Sequence, residues 1–259
     1  MRDSSTAGPA RASDDAAPAL RRGIALLREL ALAPDGRNAA ELAERLAVPR
    51  ATLYRLLRTL VEERLVAPSA APGRFVLGPA VAQLAAAAGG RRDLEGVARP
   101  LMEALAGEIG ETVKLVVRDG REALTVAVAI PRDACIASRL GTRLPLYVGA
   151  SQRLLLAHAP PEVRDDVLAA PLERITPRTI TSPARLRREL ETLAKRRDLA
   201  SHGEGIDGVG ATAALVGAGG AEPVAALVAV YVYASQTART LSRIRRRVLA
   251  TAATITRAL

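Results

Sequence analysis

The sequence has few of the residues that form disulfide, metal or aromatic sites. It contains one cysteine, two histidines, no tryptophan and only 2% aromatic residues. The single cysteine, Cys135, excludes an intramolecular disulfide framework and any cysteine-rich zinc module, and a buried, inert thiol is its default interpretation. Because only His158 and His202 could join it, a histidine or cysteine cluster is not expected. The sequence therefore predicts no metal and no cofactor.

Long apolar runs are also missing. No run reaches the roughly 18 to 20 uninterrupted residues that a membrane-spanning helix requires, so no membrane segment is predicted. Residues 1–17 mix Asp, Ser, Ala and Pro without the apolar stretch of a secretory signal, and they are predicted to be a disordered tail. Hydrophobic residues nevertheless make up 49% of the chain, enough for a sizeable core. A soluble cytoplasmic protein is expected.

The chain carries an excess of positive charge, and nearly all of it comes from arginine. Lys and Arg number 37 against 27 Asp and Glu, a formal net charge of +10, and the only lysines are Lys114 and Lys195. Up to Gly90 there are 12 cations against 9 acids, a net of +3, and beyond it 25 against 18, a net of +7. Such an excess favours polyanions, but it lies in no single basic domain.

The first regular elements are predicted to be two helices. In the first, Ile24, Leu27 and Leu30 are expected to share the apolar face. The second follows Asn38, whose side chain suits an N-cap, and Glu41 stands where a capping box has its acidic residue. Both helices are therefore expected to belong to a small helical domain.

A third helix, over residues 50–64, carries an apolar stripe at i, i+3, i+4 and i+7 spacing and a polar, cationic face opposite. Two extended stretches, 65–69 and 74–78, then predict a β-hairpin with its loop at 70–73. This order of helices and hairpin is that of a winged helix-turn-helix, whose recognition helix enters the DNA major groove. The apolar stripe consists of Leu53, Leu56, Leu57 and Leu60.

The polar face of this third helix is the candidate DNA-binding surface. Thr52 is short enough for the helix to approach DNA closely, and Arg55 and Arg58 can reach phosphates or guanine edges. Arg74, expected at the hairpin tip, can lie along an adjacent phosphate or minor groove. The alternative is an ordinary helical bundle whose arginine and threonine face is solvated.

The remainder of the chain mixes helices with hairpins. A helix that begins at residue 79 ends at a Gly-Gly-Arg-Arg break, so residues 79–92 are predicted to link two domains. Asp119-Gly120, between β-rich runs over 112–118 and 122–130, is a strong hairpin signal. The mixture predicts an α+β domain with an antiparallel sheet flanked by helices. Further helices are predicted over 94–109, 150–157, 160–168, 183–197 and 237–259, and further strands over 209–216 and 223–233.

The string from Leu42 to Leu60, LAERLAVPRATLYRLLRTL, closely resembles the helix-turn-helix of IclR-type transcriptional regulators. The segment RFVLG at 74–78 resembles that family's wing strand. The resemblance covers residues 20 to 258. In its second part, the segments that match the spacing of the family's effector domain are GETVKL at 110–115, RLPL at 143–146, LLA at 155–157, Glu204 and Gly208-Val209.

The resemblance implies a winged helix-turn-helix over 18–78, a linker helix over 79–92 and a GAF-like domain over 93–259 for effector binding and oligomerisation. It implies a transcriptional regulator and not an enzyme. Its expected partners are a double-stranded DNA operator, a small-molecule effector that alters operator binding, and further copies of itself, as a homodimer or dimer of dimers. The controlled operon is expected to be catabolic.

Site residues follow from the resemblance position by position. Operator-facing positions are held by Arg50, Thr52, Tyr54, Arg55 and Arg58. Around the effector cavity, Ala150 and Ser151 occupy the start of a helix, where unpaired N–H groups suit an anion. The further pocket positions are those of Ser201, Val209, Ala211, Val228 and Val230.

Several positions depart from the family pattern. The glycine that usually precedes the wing is Arg64, and the Gly-Lys after the effector loop is Gln152-Arg153. A pocket acid is replaced by Ser201, and two late-strand positions of serine type are valines. These changes remove polar partners, so the expected ligand is more apolar than a simple carboxylate, or the pocket no longer binds the usual metabolites.

Three alternatives stay open. A shift of one residue on the late strand would turn Ala229 and Tyr231 into the pocket instead. Ser201, His202 and Glu204 invite a hydrolase interpretation, although no G-x-S-x-G nucleophile elbow surrounds the serine. The third alternative is a DNA-binding protein that has lost ligand sensing.

Overall fold

The structure, a computed structural model, describes residues 18–88, 94–217 and 223–259. The chain divides into two units, residues 1–90 and 91–259. The predicted tail over 1–17 and the predicted Gly-Gly-Arg-Arg break over 89–92 lie outside the described residues.

The described part of the first unit consists of helices and a small antiparallel sheet, as the pattern predicts. The sheet has the strand order β1-β3-β2, and its first strand, two residues long, was not predicted. Its elements are α1 (Pro18–Ala31), β1 (Arg37–Asn38), α2 (Ala39–Arg45), α3 (Arg50–Glu62), β2 (Val66–Pro68), β3 (Arg74–Leu77) and α4 (Pro79–Ala88).

The start of α2 follows the predicted capping pattern. Asn38 Oδ1 accepts a hydrogen bond from the Glu41 backbone N–H at 2.9 Å, so it satisfies one of the helix's unpaired donors. Glu41 differs in detail from a capping box, because its carboxylate accepts from Asn38 Nδ2 and not from a backbone N–H. The predicted N-cap is confirmed.

The core of the first unit is built from leucines on α1, α2 and α3, together with Val66 of β2. Leu53 and Leu57 of α3 are buried, and the rest of the predicted stripe packs against them. The predicted face of α1 is partly wrong: Ile24 is 42% exposed, and Leu26, one turn before Leu30, is buried instead. The buried side of α1 runs through Leu26 and Leu30, at i, i+4 spacing, and leaves Ile24 at its edge.

The second unit is built on one six-stranded antiparallel sheet with the strand order β6-β5-β4-β9-β8-β7. The predicted α+β class is confirmed. The helices are α5 (Leu94–Ile109), α6 (Ala150–Ala157), α7 (Pro161–Ala169), α8 (Pro183–Leu193) and α9 (Ala238–Ala258). The strands are β4 (Thr112–Asp119), β5 (Glu122–Ala129), β6 (Arg143–Pro145), β7 (Asp198–His202), β8 (Val209–Val216) and β9 (Ala225–Val232).

Helices cover both faces of this sheet. On one face, α5 and α9 pack on residues such as Leu227 and Ala229 of β9. On the other face, Val228 and Val230 belong to a core shared with α6, α7 and α8. Because successive residues of a strand point to opposite faces, β9 is apolar almost throughout and separates two cores.

The sequence did not predict two strands of this sheet, β6 and β7. β6 is three residues long, too short for alternation to show, and β7 has the polar sequence DLASH. The helix predicted over 183–197 ends at Leu193, which leaves room for β7 to begin at Asp198. Among the helices that the structure describes, none is long and apolar enough to cross a membrane.

Candidate functional site

The outer face of α3 is cationic and carries an exposed aromatic ring. Leu53 and Leu57 anchor the helix in the core, so the residues on its other side project into solvent. Tyr54 is 57% exposed, and Arg55 and Arg58 are exposed beside it. Arg50, at the helix start, is also exposed, whereas Thr52 is half-buried. All five operator-facing positions therefore lie on one helix, four of them at its surface.

The arginines on this face have no partner in the described parts of the chain. No hydrogen bond or ion pair joins the side chains of Arg50, Arg55 or Arg58 to another residue in the described parts of the chain. By contrast, Arg45 lies 3.4 Å from a Glu29 carboxylate oxygen. The cations of α3 are therefore available to an external anion.

Arg74 is placed differently from the sequence expectation. Its Nη1 donates to the Gly36 carbonyl at 2.7 Å, and its Nη2 lies 3.3 Å from Glu41 Oε1. These contacts join β3 to the first turn of α2, and the side chain is half-buried. Its guanidinium therefore contacts the body of the unit and does not extend beyond the hairpin loop.

The second unit contains a cavity of about 300 Å³ between the sheet, the start of α6 and two loops. The loops are residues 136–142 and 204–206. The seven effector positions implied by the family resemblance meet at this cavity, although they come from four separate segments. They are Ala150, Ser151, Ser201, Val209, Ala211, Val228 and Val230.

The register of β9 decides which of its residues face the cavity. Val228 and Val230 line it, while Ala229 and Tyr231 pack on the opposite face of the sheet. The Tyr231 hydroxyl is hydrogen-bonded to Thr212 Oγ1 at 2.9 Å, inside that second core. The alternative frame, shifted by one residue, is therefore wrong.

A buried ion-pair cluster fixes the start of α6. Glu204 Oε2 accepts from the Gly149 backbone N–H at 3.1 Å, and Glu204 Oε1 lies 2.7 Å from Arg153 Nη2. Arg153 is only 3% exposed, and its Nη1 lies 3.1 Å from Glu189 Oε1 on α8. Burial raises the pKa of Glu204, and the attraction of Arg153 opposes that rise. One N–H at this helix start is therefore already bonded to a carboxylate of the chain.

Lys114 also lines the cavity, although neither the sequence pattern nor the family resemblance indicated it. It lies on β4 in register with Val228 of β9, in the middle of the cavity's sheet wall. Desolvation by the surrounding protein lowers the pKa of its ammonium group. The available signal was a cation between apolar neighbours, Val113 and Leu115, in a predicted strand.

Ser201, His202 and Glu204 do not form a hydrolytic triad. Ser201 lines the cavity, but His202, the next residue of β7, has its Nδ1 2.8 Å from Arg178 Nη1 and its ring stacked on Tyr233. Neighbouring residues of a strand point to opposite faces, so the imidazole is turned away from the serine. The two carboxylate oxygens of Glu204 accept hydrogen bonds from the Gly149 N–H and from Arg153. The hydrolase alternative therefore lacks its proton relay.

The described residues include no candidate metal centre, and they place the single thiol differently from its expectation. No group of three or more His, Cys, Asp or Glu side chains there could hold a metal ion. Cys135 is exposed, so its expected burial is wrong. It lies in the irregular segment between β5 and β6, where no core element covers it.

Comparisons with known proteins agree with the two-part layout. A family model described as the IclR helix-turn-helix domain matches residues 19–69. A second, described as the C-terminal part of the bacterial transcriptional regulator IclR, matches residues 86–257. Members of this family are transcriptional regulators and not enzymes.

Two curated relatives show the same similarity. The HTH-type transcriptional regulator Rv1719 of Mycobacterium tuberculosis is 36% identical over 196 residues, which cover 74% of this chain and 75% of that protein. The HTH-type transcriptional repressor AllR of Escherichia coli is 32% identical over 177 residues. That match covers 68% of this chain and 65% of AllR, so the chain spans just under two thirds of the repressor's length.

Solved structures extend the comparison to the fold. An IclR transcriptional regulator from Alicyclobacillus acidocaldarius has a TM-score of 0.77 at 27% identity, covering 93% of this chain and 98% of that one. An IclR homologue from Microbacterium hydrocarbonoxydans, crystallised in complex with 4-hydroxybenzoate, has a TM-score of 0.77 at 28% identity and covers 93% and 100%. The predicted resemblance is confirmed: the chain belongs to the IclR family of bacterial transcriptional regulators, with a DNA-binding helix-turn-helix and a C-terminal effector-binding domain.

Proposed function

We propose that the protein is a cytoplasmic, ligand-responsive regulator that binds its operator through α3 and senses a small molecule in the cavity of its second unit. The observation that carries the proposal is the set of unpartnered arginines on the outer face of α3. A neighbouring catabolic operon is its proposed target. The proposal has a DNA-binding part and a ligand-binding part, and each can fail separately.

The DNA-binding part rests on charge that is exposed and free. Arg55 and Arg58 project from the same side of α3, one turn apart, with Tyr54 beside them. Arginine can form two hydrogen bonds to the O6 and N7 atoms of guanine in the major groove, and an aromatic ring can contact a thymine methyl group. A homodimer, or a dimer of dimers, would present two such helices to successive major grooves, about 34 Å apart.

The ligand-binding part rests on the cavity. A volume of about 300 Å³ falls at the small end of the range for ligand pockets, and a few polar groups interrupt its mostly aliphatic wall. The Microbacterium relative holds 4-hydroxybenzoate, which supports a small organic ligand for this chain. Such a ligand changes operator affinity if it binds the DNA-bound and free arrangements of the protein with different affinity.

DNA binding can be tested with the purified full chain and the DNA upstream of its own gene. We expect that DNA to be preferred over random DNA of equal length in fluorescence anisotropy, with affinity falling steeply between about 50 and 200 mM salt. Arg55→Ala should weaken specific binding by about tenfold or more, because a guanine or phosphate contact is lost. The matched variant Arg246→Ala, which removes an exposed arginine of α9, should change affinity by less than about twofold.

Equal affinity for upstream and random DNA would refute the DNA-binding part. Equal effects of the two arginine variants would show that total charge, and not α3, determines binding. Ligand sensing is tested by adding intermediates of the neighbouring pathway to the same assay. An operator affinity that none of them alters would favour a DNA-binding protein that has lost ligand sensing.

A further inference from the structure

Among the described residues, Lys114 is the one lysine in the wall of the effector cavity, and its ammonium group has no partner there. It is half-buried on a central strand of the sheet, and no hydrogen bond or ion pair joins its side chain to any described residue. Much of the surrounding wall is aliphatic, including Leu144, Val148, Ile206, Val209, Val228 and Val230. A cation in such surroundings is unfavourable unless a counter-ion accompanies it.

The other charged side chains at the cavity do not supply that counter-ion. Glu204 is its one acidic lining residue among those described, and its two oxygens are bonded to Gly149 N–H and to Arg153. Glu189, which shares Arg153, does not line the cavity. Arg139, on the exposed loop at the rim, adds a second positive charge. The interior of the cavity therefore has positive charge without compensation.

We propose that Lys114 determines ligand specificity by pairing its ammonium group with the carboxylate of a small monocarboxylic acid, whose apolar remainder packs against the aliphatic wall. The proposal rests on the proposed function, since it takes this cavity as the effector site. The sequence predicts a ligand more apolar than a simple carboxylate. The proposal keeps an apolar ligand body and adds a carboxylate to it. The desolvation that lowers the pKa of Lys114 agrees with this role, because an anion beside the ammonium group would reverse that effect.

The presence of only two lysines in the chain permits a direct test. Full-length protein labelled with ¹³C and ¹⁵N at the lysine ε positions gives two side-chain NMR signals, and Lys195, which is exposed, serves as an internal reference. The probes are benzoate, 4-hydroxybenzoate and hexanoate, each paired with its neutral primary amide. We expect a carboxylate to shift the Lys114 signal and leave the Lys195 signal in place.

Affinity measurements complete the test. For the best carboxylate we expect binding at least about tenfold tighter than for its amide, the size expected of a charge-assisted contact. Lys195→Met should keep that ratio, and Lys114→Met should reduce it below about twofold. Because the labelled wild-type protein reports on Lys114 directly, the proposal stays testable even if a variant fails to fold.

Three results would overturn the proposal: equal binding of acids and amides, an unchanged ratio in Lys114→Met, or a Lys114 signal that no carboxylate moves. None of these measurements involves DNA, so they are independent of regulation. Carboxylate binding that leaves operator affinity unchanged would refute the proposed regulation and leave the role of Lys114 intact. An operator affinity that responds equally to acids and amides would support the proposed regulation and refute the role of Lys114.

Discussion

The cations that we propose as ligand contacts lie in different surroundings in the two units. In the first, the arginines of α3 extend into solvent without a partner, while Arg74 contacts Gly36 and Glu41. In the second, Lys114 lines a cavity and has no partner within 94–217 and 223–259, while Arg153, more deeply buried, lies between two carboxylates. Pairing identifies the cations that stabilise the fold, and position identifies the unpaired cations that we propose as ligand contacts; the total charge of +10 does neither.

The largest expected effect comes from removing a cation that has partners. Arg153→Met leaves Glu204 and Glu189 near each other without the guanidinium group that joins them. We expect the free energy of unfolding to fall by about 3–5 kcal/mol in urea denaturation, because a buried carboxylate loses its counter-ion. A loss below about 1 kcal/mol would contradict the role given to this cluster.

The matched control for that change is Arg187→Met. Arg187 lies 4.0 Å from Asp165, and both side chains are more than half exposed. We expect a loss below about 0.5 kcal/mol, since solvent screens such a pair. A comparable loss in both variants would mean that burial does not distinguish the two ion pairs.

Removing the unpaired cation of the cavity should have the opposite sign. In the ligand-free protein we expect Lys114→Met to raise the free energy of unfolding by about 1 kcal/mol at neutral pH, since an uncompensated charge in an aliphatic wall is replaced by an apolar chain. Thermal and urea unfolding measure the change. A destabilised variant would show that Lys114 has a partner in the folded protein.

The pH dependence of the same pair of proteins gives a second measurement. The folded-state pKa of Lys114 is lowered, while in the unfolded chain it stays near the ordinary value of about 10.4. Between these two values the unfolded chain binds more protons, so the wild type gains stability as pH rises through that window. Lys114→Met should lack this gain, and parallel stability curves for the two proteins would contradict the lowered pKa.

The smallest expected effect concerns Arg64, which joins no ion pair in the described residues and belongs to no proposed binding site. Arg64 has a φ of 57°, a left-handed conformation that favours glycine, at the position where the family usually has one. Arg64→Gly should raise the free energy of unfolding by about 0.5 kcal/mol, because relief of backbone strain exceeds the added entropy of the unfolded chain. Operator affinity should change by less than about twofold. A tenfold loss of affinity would add Arg64 to the DNA-binding surface.

The first unit was largely predictable because its signals are local. The N-cap at Asn38, the leucine stripe of α3 and the hairpin each lie within a dozen residues, and pattern alone found them. The contact between Arg74 and Gly36 is different, since it depends on pairing between β3 and a strand of two residues. No local sequence signal marks such a strand, so these contacts of Arg74 could not be foreseen.

The cavity of the second unit depended on other kinds of information. Its seven predicted residues came from family resemblance, and no periodicity would have brought Ala150, Ser201 and Val228 together. Lys114 was missed because a lysine in a strand usually indicates a solvated position, and only the register of β4 with β9 shows that it faces inward. The orientation of His202 could not be predicted either, because the strand that contains it was not predicted.

The ion-pair cluster of Glu204 and Arg153 also bears on how a ligand reaches the cavity. It ties the loop after β7 to the start of α6, and through Arg153 to α8, so opening that rim would separate Glu204 from Arg153 and from the Gly149 N–H. The opposite rim, residues 136–139, belongs to an irregular segment. Local opening costs the least free energy where few buried contacts are broken. The backbone amides of residues 136–139 should therefore exchange with deuterium faster than those of α6. We therefore expect entry past residues 136–139, with the rate of ligand capture set by the motion of that segment.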